Sequence, residues 1–252
     1  YNGALWIVRL ERDGRAKSAQ KISERRGGGD GVLDTLQLGS SLASLGDLDG
    51  DGNPELLVSH PASPAIPVEL QTPSLWVLSL DVNERLRSAR KIGQEEFGLV
   101  RDLDGLNFEC GFALSLAVLG DIDADGTIEF GVGASGWTPT PDALPTFAPR
   151  VGAFLVGSLR RDGTLARSLL VTTDHGGFSG ALPLDTSFGG SLAALGDLDR
   201  NGRPELAVGA SADDDGGEDT GSIWIVELDE SAVRNGSGVN TLTLRQEAQP
   251  DI

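Results

Sequence analysis

The residues of this sequence best suited to chemistry fall into three groups of one design. They are Asp47, Asp49, Asp51, Asn53 and Glu55; Asp121, Asp123, Asp125, Thr127 and Glu129; and Asp197, Asp199, Asn201, Arg203 and Glu205. Each group reads Asp-x-Asp-x-(Asp/Asn)-Gly-x-x-Glu. Side chains at positions 1, 3 and 5 of a tight loop converge on one point. Gly52, Gly126 and Gly202 at position 6 permit a sharp turn. The backbone carbonyl of position 7 adds an oxygen, and the carboxylate of position 9 closes the shell. An all-oxygen set of this kind suits a hard cation such as Ca²⁺, which takes about six to eight oxygens. One ion per loop gives three. Without a cation, each loop would crowd several carboxylates together, which repel one another. The third loop carries Asn201 in place of Asp, so on its own charge it is expected to bind most weakly.

Other candidate chemistry is sparse. His60 and His175 lie in loop-like stretches of different repeats and read as isolated surface histidines. Cys110 has no neighbouring His or Lys to activate its thiol. There is no nucleophile elbow, phosphate-binding Gly-Lys loop or His-Glu-x-x-His motif. No catalytic residue and no organic cofactor are therefore expected. The run Asp213–Asp219 reads either as a solvated loop or as a further cation or partner site. The Pro-rich stretches Pro61–Pro67 and Trp137–Pro149 suit a partner contact or an idle rigid loop equally. Asn235-Gly-Ser237 has the form of a glycosylation sequon.

The elements that must position the loops repeat with them, at a period of roughly 75 residues. Each loop follows a strand candidate of the form Ser-Leu-Ala-x-Leu-Gly, beginning at Ser41, Ser115 and Ser191. Each precedes a second strand: Glu55–Val58, Glu129–Val132 and Glu205–Val208. A third strand type recurs at Gly3–Leu10, Ser74–Leu80, Gly152–Leu159 and Gly221–Leu228. A turn usually follows, as at Asp13-Gly14, Asn83-Glu84, Asp162-Gly163 and Asn235-Gly236, and then a shorter strand. Asp-Gly and Asn-Gly between apolar runs are hairpin signals. The fold class predicted is all-β, with four antiparallel strands per repeat arranged as propeller blades. The boundaries predicted are a two-strand half blade over 1–25 and repeats over 26–100, 101–175 and 176–252. That makes about three and a half blades, too few to close a ring within this chain. Recurrent Trp6, Trp76 and Trp224 are expected to pack between blades.

Composition agrees. The chain has 252 residues, 38 acidic and 20 basic, for a net charge of −18. That balance argues against nucleic-acid binding, which needs clustered Lys and Arg. A hydrophobic content of 39% supports a packed core, and a single Cys excludes an internal disulfide framework. No apolar run is long enough to span a membrane as a helix. The opening Tyr1-Asn-Gly-Ala lacks an initiator Met and a signal-peptide layout, so a mature product or a piece of something longer is expected.

The pattern resembles the FG-GAP repeat of integrin α-subunit β-propellers and their bacterial relatives. Phe188-Gly189 matches the Phe-Gly pair fully; Phe112-Ala113 and Leu38-Gly39 match it in part. Gly133-Ala134-Ser135 and Gly209-Ala210-Ser211 match the Gly-Ala-Pro apart from its last residue, while Ser59-His60-Pro61 keeps only the Pro. The family usually has Asp at position 9, where this chain has Glu three times. The resemblance implies Ca²⁺ in the loops on one face of the propeller and an extracellular or cell-surface location. The function expected is a non-enzymatic calcium-binding module for adhesion, scaffolding or assembly. Its partner would be a protein or glycan, or other copies of itself. Two alternatives stay open: a filament subunit completed by strands of neighbouring copies, and an accessory domain of a larger secreted enzyme.

Overall fold

A computed structural model describes residues 3–29, 38–61, 73–98, 111–138, 150–173, 175–214, 217, 220–228 and 244–246. Cys110, the Asn235 sequon with its Asn235-Gly236 turn, most of both Pro-rich stretches and part of the Asp213–Asp219 run lie outside them.

The described residues form one two-stranded and three four-stranded sheets, all antiparallel. Strands β1 (Ala4–Leu10) and β2 (Ala16–Ser23) make the first. The next sheet runs in the order β3 (Leu42–Gly46), β4 (Glu55–His60), β5 (Ser74–Leu80) and β6 (Leu86–Gly93). Then come β7 (Phe112–Gly120), β8 (Ile128–Ala134), β9 (Ala153–Leu159) and β10 (Leu165–Val171). The last comprises β11 (Phe188–Gly196), β12 (Glu205–Ala210), β13 (Ser222–Glu227) and β14 (Leu244–Gln246). Each four-stranded sheet is a meander with sequential strands paired, and none closes on itself, as propeller blades require. The only helical element among the described residues is a 3-10 turn at Gln94–Phe97.

The core lies between the sheets. Leu5, Ile22, Leu38, Trp76 and Leu78 fill the first gap. Leu57, Leu75, Phe97, Phe112, Phe130 and Leu155 fill the second. Phe154, Phe178, Phe188, Leu206 and Trp224 fill the third. A strand with sheets on both faces must be apolar on both, and β5 and β9 are buried at every position. Trp76 and Trp224 pack between blades as the sequence predicts; Trp6 at the same strand position is 58% exposed. Val8 and Leu10 beside it are exposed too, and Lys21 Nζ lies 5.6 Å from the Trp6 ring centroid.

The Phe-Gly pair fixes how sheets meet. Phe188 is fully buried and makes a backbone bridge to Gly152, the residue before β9. The next residue is left-handed in all three repeats: Gly39 at φ 95°, Ala113 at 66° and Gly189 at 83°. A Cβ on Gly189 would lie 2.0 Å from the Ala153 carbonyl oxygen.

His60 departs from expectation. It is the last residue of β4, it is buried, and its Nδ1 sits 3.3 Å from Ser74 Oγ. The strand runs on through Ser59 and ends at His60, which pairs with Ser74 on β5. His175 is exposed, its ring edge-on to Trp137 at 6.1 Å.

Candidate metal centre

Each acidic loop joins the first two strands of a four-stranded sheet, β3 to β4, β7 to β8 and β11 to β12. Its internal bonding follows one scheme, with one difference: the position-1 aspartate takes the position-4 amide in the first loop and the position-5 amide in the other two. Both oxygens of the position-1 aspartate accept backbone amides. Asp47 takes those of Gly50 and Gly52 at 2.9 and 3.0 Å. Asp121 takes Asp125 and Gly126 at 3.1 and 3.0 Å, and Asp197 takes Asn201 and Gly202 at 3.0 and 2.9 Å. The position-3 Asp accepts the position-5 amide: Asp51 to Asp49, Asp125 to Asp123 and Asn201 to Asp199. The position-5 side chain accepts the position-7 amide of Asn53, Thr127 or Arg203. The position-9 glutamate, buried where its strand begins, reaches back to the position-2 amide. Glu55 takes Leu48 at 2.8 Å, Glu129 takes Ile122 at 3.0 Å and Glu205 takes Leu198 at 2.7 Å.

This ladder gathers carboxylates from positions 1, 3 and 9. Oxygens of Asp47, Asp49 and Glu55 lie within 4.8 Å of one another, as do those of Asp121, Asp123 and Glu129, and those of Asp197, Asp199 and Glu205. Position 5 is not among the three. Asp51 turns to Arg87 on β6, whose guanidinium also holds Asp49 Oδ2 at 2.5 Å. Asp125 meets Arg167 of β10 at 2.5 Å, and Arg167 lies 3.8 Å from Asp123. Asn201 instead donates from Nδ2 to Glu227 of β13 at 3.0 Å, and Arg203 pairs with the other Glu227 oxygen at 3.0 Å. Glu227 thus puts a carboxylate back beside the loop whose own position 5 lost one.

Electrostatics divide the carboxylates. Burial pushes the Glu55 and Glu129 carboxyls above the ordinary range. Asp125 is held down at about 2, chiefly by the Thr127 hydroxyl and also by Arg167. Asp51 is lowered by the amide and side chain of Asn53, and by Arg87.

These residues fit a hard divalent cation. The converging donors are all oxygens, and Glu55 Oε1 is buried with no hydrogen-bond partner. A buried carboxylate oxygen left unpaired is costly, and a cation removes that cost.

Arg87, Arg167 and Glu227 escaped the sequence reading because they lie on the third and fourth strands of the sheets, far from the motif. The signal of the two arginines was their place soon after the turns Asn83-Glu84 and Asp162-Gly163. It was blurred by register: Arg87 occupies the β6 bulge, whereas Arg167 pairs with Ser158 one step past the β10 bulge.

Residues 188–226 match the model of the FG-GAP repeat. An alignment 121 residues long, which covers 45% of this chain, is 36% identical to integrin alpha-7 of Homo sapiens. The match spans 8% of that protein's length.

Proposed function

We propose that this chain, which matches the FG-GAP repeat over residues 188–226 and is similar over 45% of its length to integrin alpha-7, is a non-enzymatic calcium-binding β-propeller module. It works outside the cell in adhesion, scaffolding or assembly, with a protein or glycan partner. The observation that carries the calcium reading is the carboxylate trio repeated in one register three times, with Glu55 Oε1 buried and unpaired in the first copy. Asp47, Asp49 and Glu55 would hold one ion, Asp121, Asp123 and Glu129 a second, and Asp197, Asp199 and Glu205 a third. A bound ion cross-links the first two strands of each sheet and neutralises the loop. Millimolar Ca²⁺, as found outside cells, saturates even weak sites of this kind. Binding stabilises the fold by mass action, by about 2.7 kcal/mol at a hundredfold excess over Kd. Thermal melting in millimolar Ca²⁺ against excess chelator tests this. Identical curves would remove the calcium reading.

A second reading, self-assembly through β1, is supported by the exposed Trp6, Val8 and Leu10 on a strand paired only with β2 among the described residues. Unpaired edges invite strand addition. Electron microscopy of the purified chain decides, because uniform single particles reject it.

A further inference from the structure

We propose that Arg87 and Arg167 are built-in counter-cations of the first two acidic loops, held where they compete with a bound divalent ion and set its affinity. This rests on the reading of the loops as cation sites. It goes beyond that reading in assigning residues outside the loops, on the outer strands β6 and β10.

Three observations carry it. First, each arginine bridges the carboxylates of two alternate loop positions. Arg87 holds Asp49 and Asp51; Arg167 sits at 2.5 Å from Asp125 and 3.8 Å from Asp123. In both loops position 3 belongs to the carboxylate trio, so the guanidinium lies against a group that faces the ion's place. Second, the position-5 aspartate is drawn out of the trio toward the arginine in both loops, although its sequence position matches that of a ligand. Third, the partner changes sign with the loop. Where position 5 is Asp51 or Asp125 it meets an arginine; where it is the uncharged Asn201 it meets the carboxylate of Glu227.

One surface ion pair means little. Here the same bridging arrangement is reached from two different register positions, Arg87 in a bulge and Arg167 beside one. A positive charge held against a carboxylate that faces a divalent ion opposes binding even in water-like surroundings. Removing it strengthens binding on the order of tenfold.

The test is a Ca²⁺ titration followed by NMR at the amides of Gly52, Gly126 and Gly202, one reporter per loop. Arg87→Gln should move the Gly52 midpoint to roughly tenfold lower Ca²⁺ and leave Gly202 unchanged. Arg87→Lys, which keeps the charge, should stay near the unaltered chain. Arg167→Gln should do at Gly126 what Arg87→Gln does at Gly52, which guards against a folding defect in either variant. If the Gly52 and Gly126 midpoints stay put or rise while the unaltered chain binds, the counter-cation role is overturned and the calcium reading stands. If the unaltered chain shows no saturable shift at any of the three glycines, both fall.

Discussion

Ser115 Oγ, on β7, donates to the carbonyl oxygen of Gly189, on β11, at 2.9 Å within the buried seam between their two sheets. Gly133 lies beneath this bond: a Cβ there would sit 2.1 Å from the Gly189 oxygen and 2.3 Å from Ser115 Oγ. The small residue of the Gly-Ala pair thus makes room for a contact between blades. Ser115→Ala should cost about 1 kcal/mol, the net worth of a neutral hydrogen bond. Gly133→Ala forces the two backbones apart and should cost about 3 kcal/mol. Urea denaturation measures both, and a harmless Gly133→Ala would mean that the sheets are not held this closely.

Glu129 should change the sign of its effect with calcium. In chelator, its ionised carboxyl is buried at a cost. Glu129→Gln removes that charge and should raise the melting temperature by a few degrees, equivalent to about 1 kcal/mol. On the proposed calcium reading, the same change in millimolar Ca²⁺ deletes a ligand and should lower it. Equal shifts in both buffers would separate Glu129 from the ion.

The pH dependence of the cation-free chain has two opposed parts. Glu55 and Glu129 have raised folded-state pKa values. Their stabilisation is complete below the unfolded pKa and is lost as pH rises through the folded one. Asp51 and Asp125 are lowered, Asp125 to about 2. Their stabilisation is present above the ordinary carboxylate pKa and fades as pH falls through the folded value. Melting in chelator should therefore improve on acidification from neutrality and deteriorate at lower pH. A Glu55→Gln, Glu129→Gln double variant should lack the improvement. With Ca²⁺ present the improvement should disappear, since protons and the ion compete for the same oxygens.

Thr127 supplies the largest part of the Asp125 shift, its hydroxyl donating at 2.6 Å. Thr127→Val should cost about 1 kcal/mol at neutral pH and less near pH 2, where Asp125 begins to take up its proton. Parallel urea curves at the two pH values check this, and a loss independent of pH would place the effect in packing.

The strands and loops were legible because they repeat. Ser-Leu-Ala-x-Leu-Gly, the acidic loop and Glu-(Leu/Phe)-x-Val lie adjacent in the chain, and hairpin pairing keeps neighbours in sequence neighbours in space. What the loops face was not legible, because Arg87, Arg167 and Glu227 come from other strands and at unequal register. His60 was misplaced for a local reason. Its flanking Ser59 and Pro61 resemble a turn, yet Ser59 Oγ accepts the Ser41 amide at 2.8 Å and the strand runs on. Ala113 kept the left-handed backbone of the Phe-Gly pair without the glycine that normally signals it.

The uneven burial of the repeated tryptophan gives the protein its own optical probe. Trp76 and Trp224 are 8% and 5% exposed, against 58% for Trp6. Their fluorescence should therefore be blue and resistant to aqueous quenchers, whereas Trp6 should emit at the red edge and be readily quenched. A Trp6→Phe variant isolates the difference spectrum. Any surface that comes to cover β1, from another copy or from an added partner, should announce itself as a blue shift of that one component.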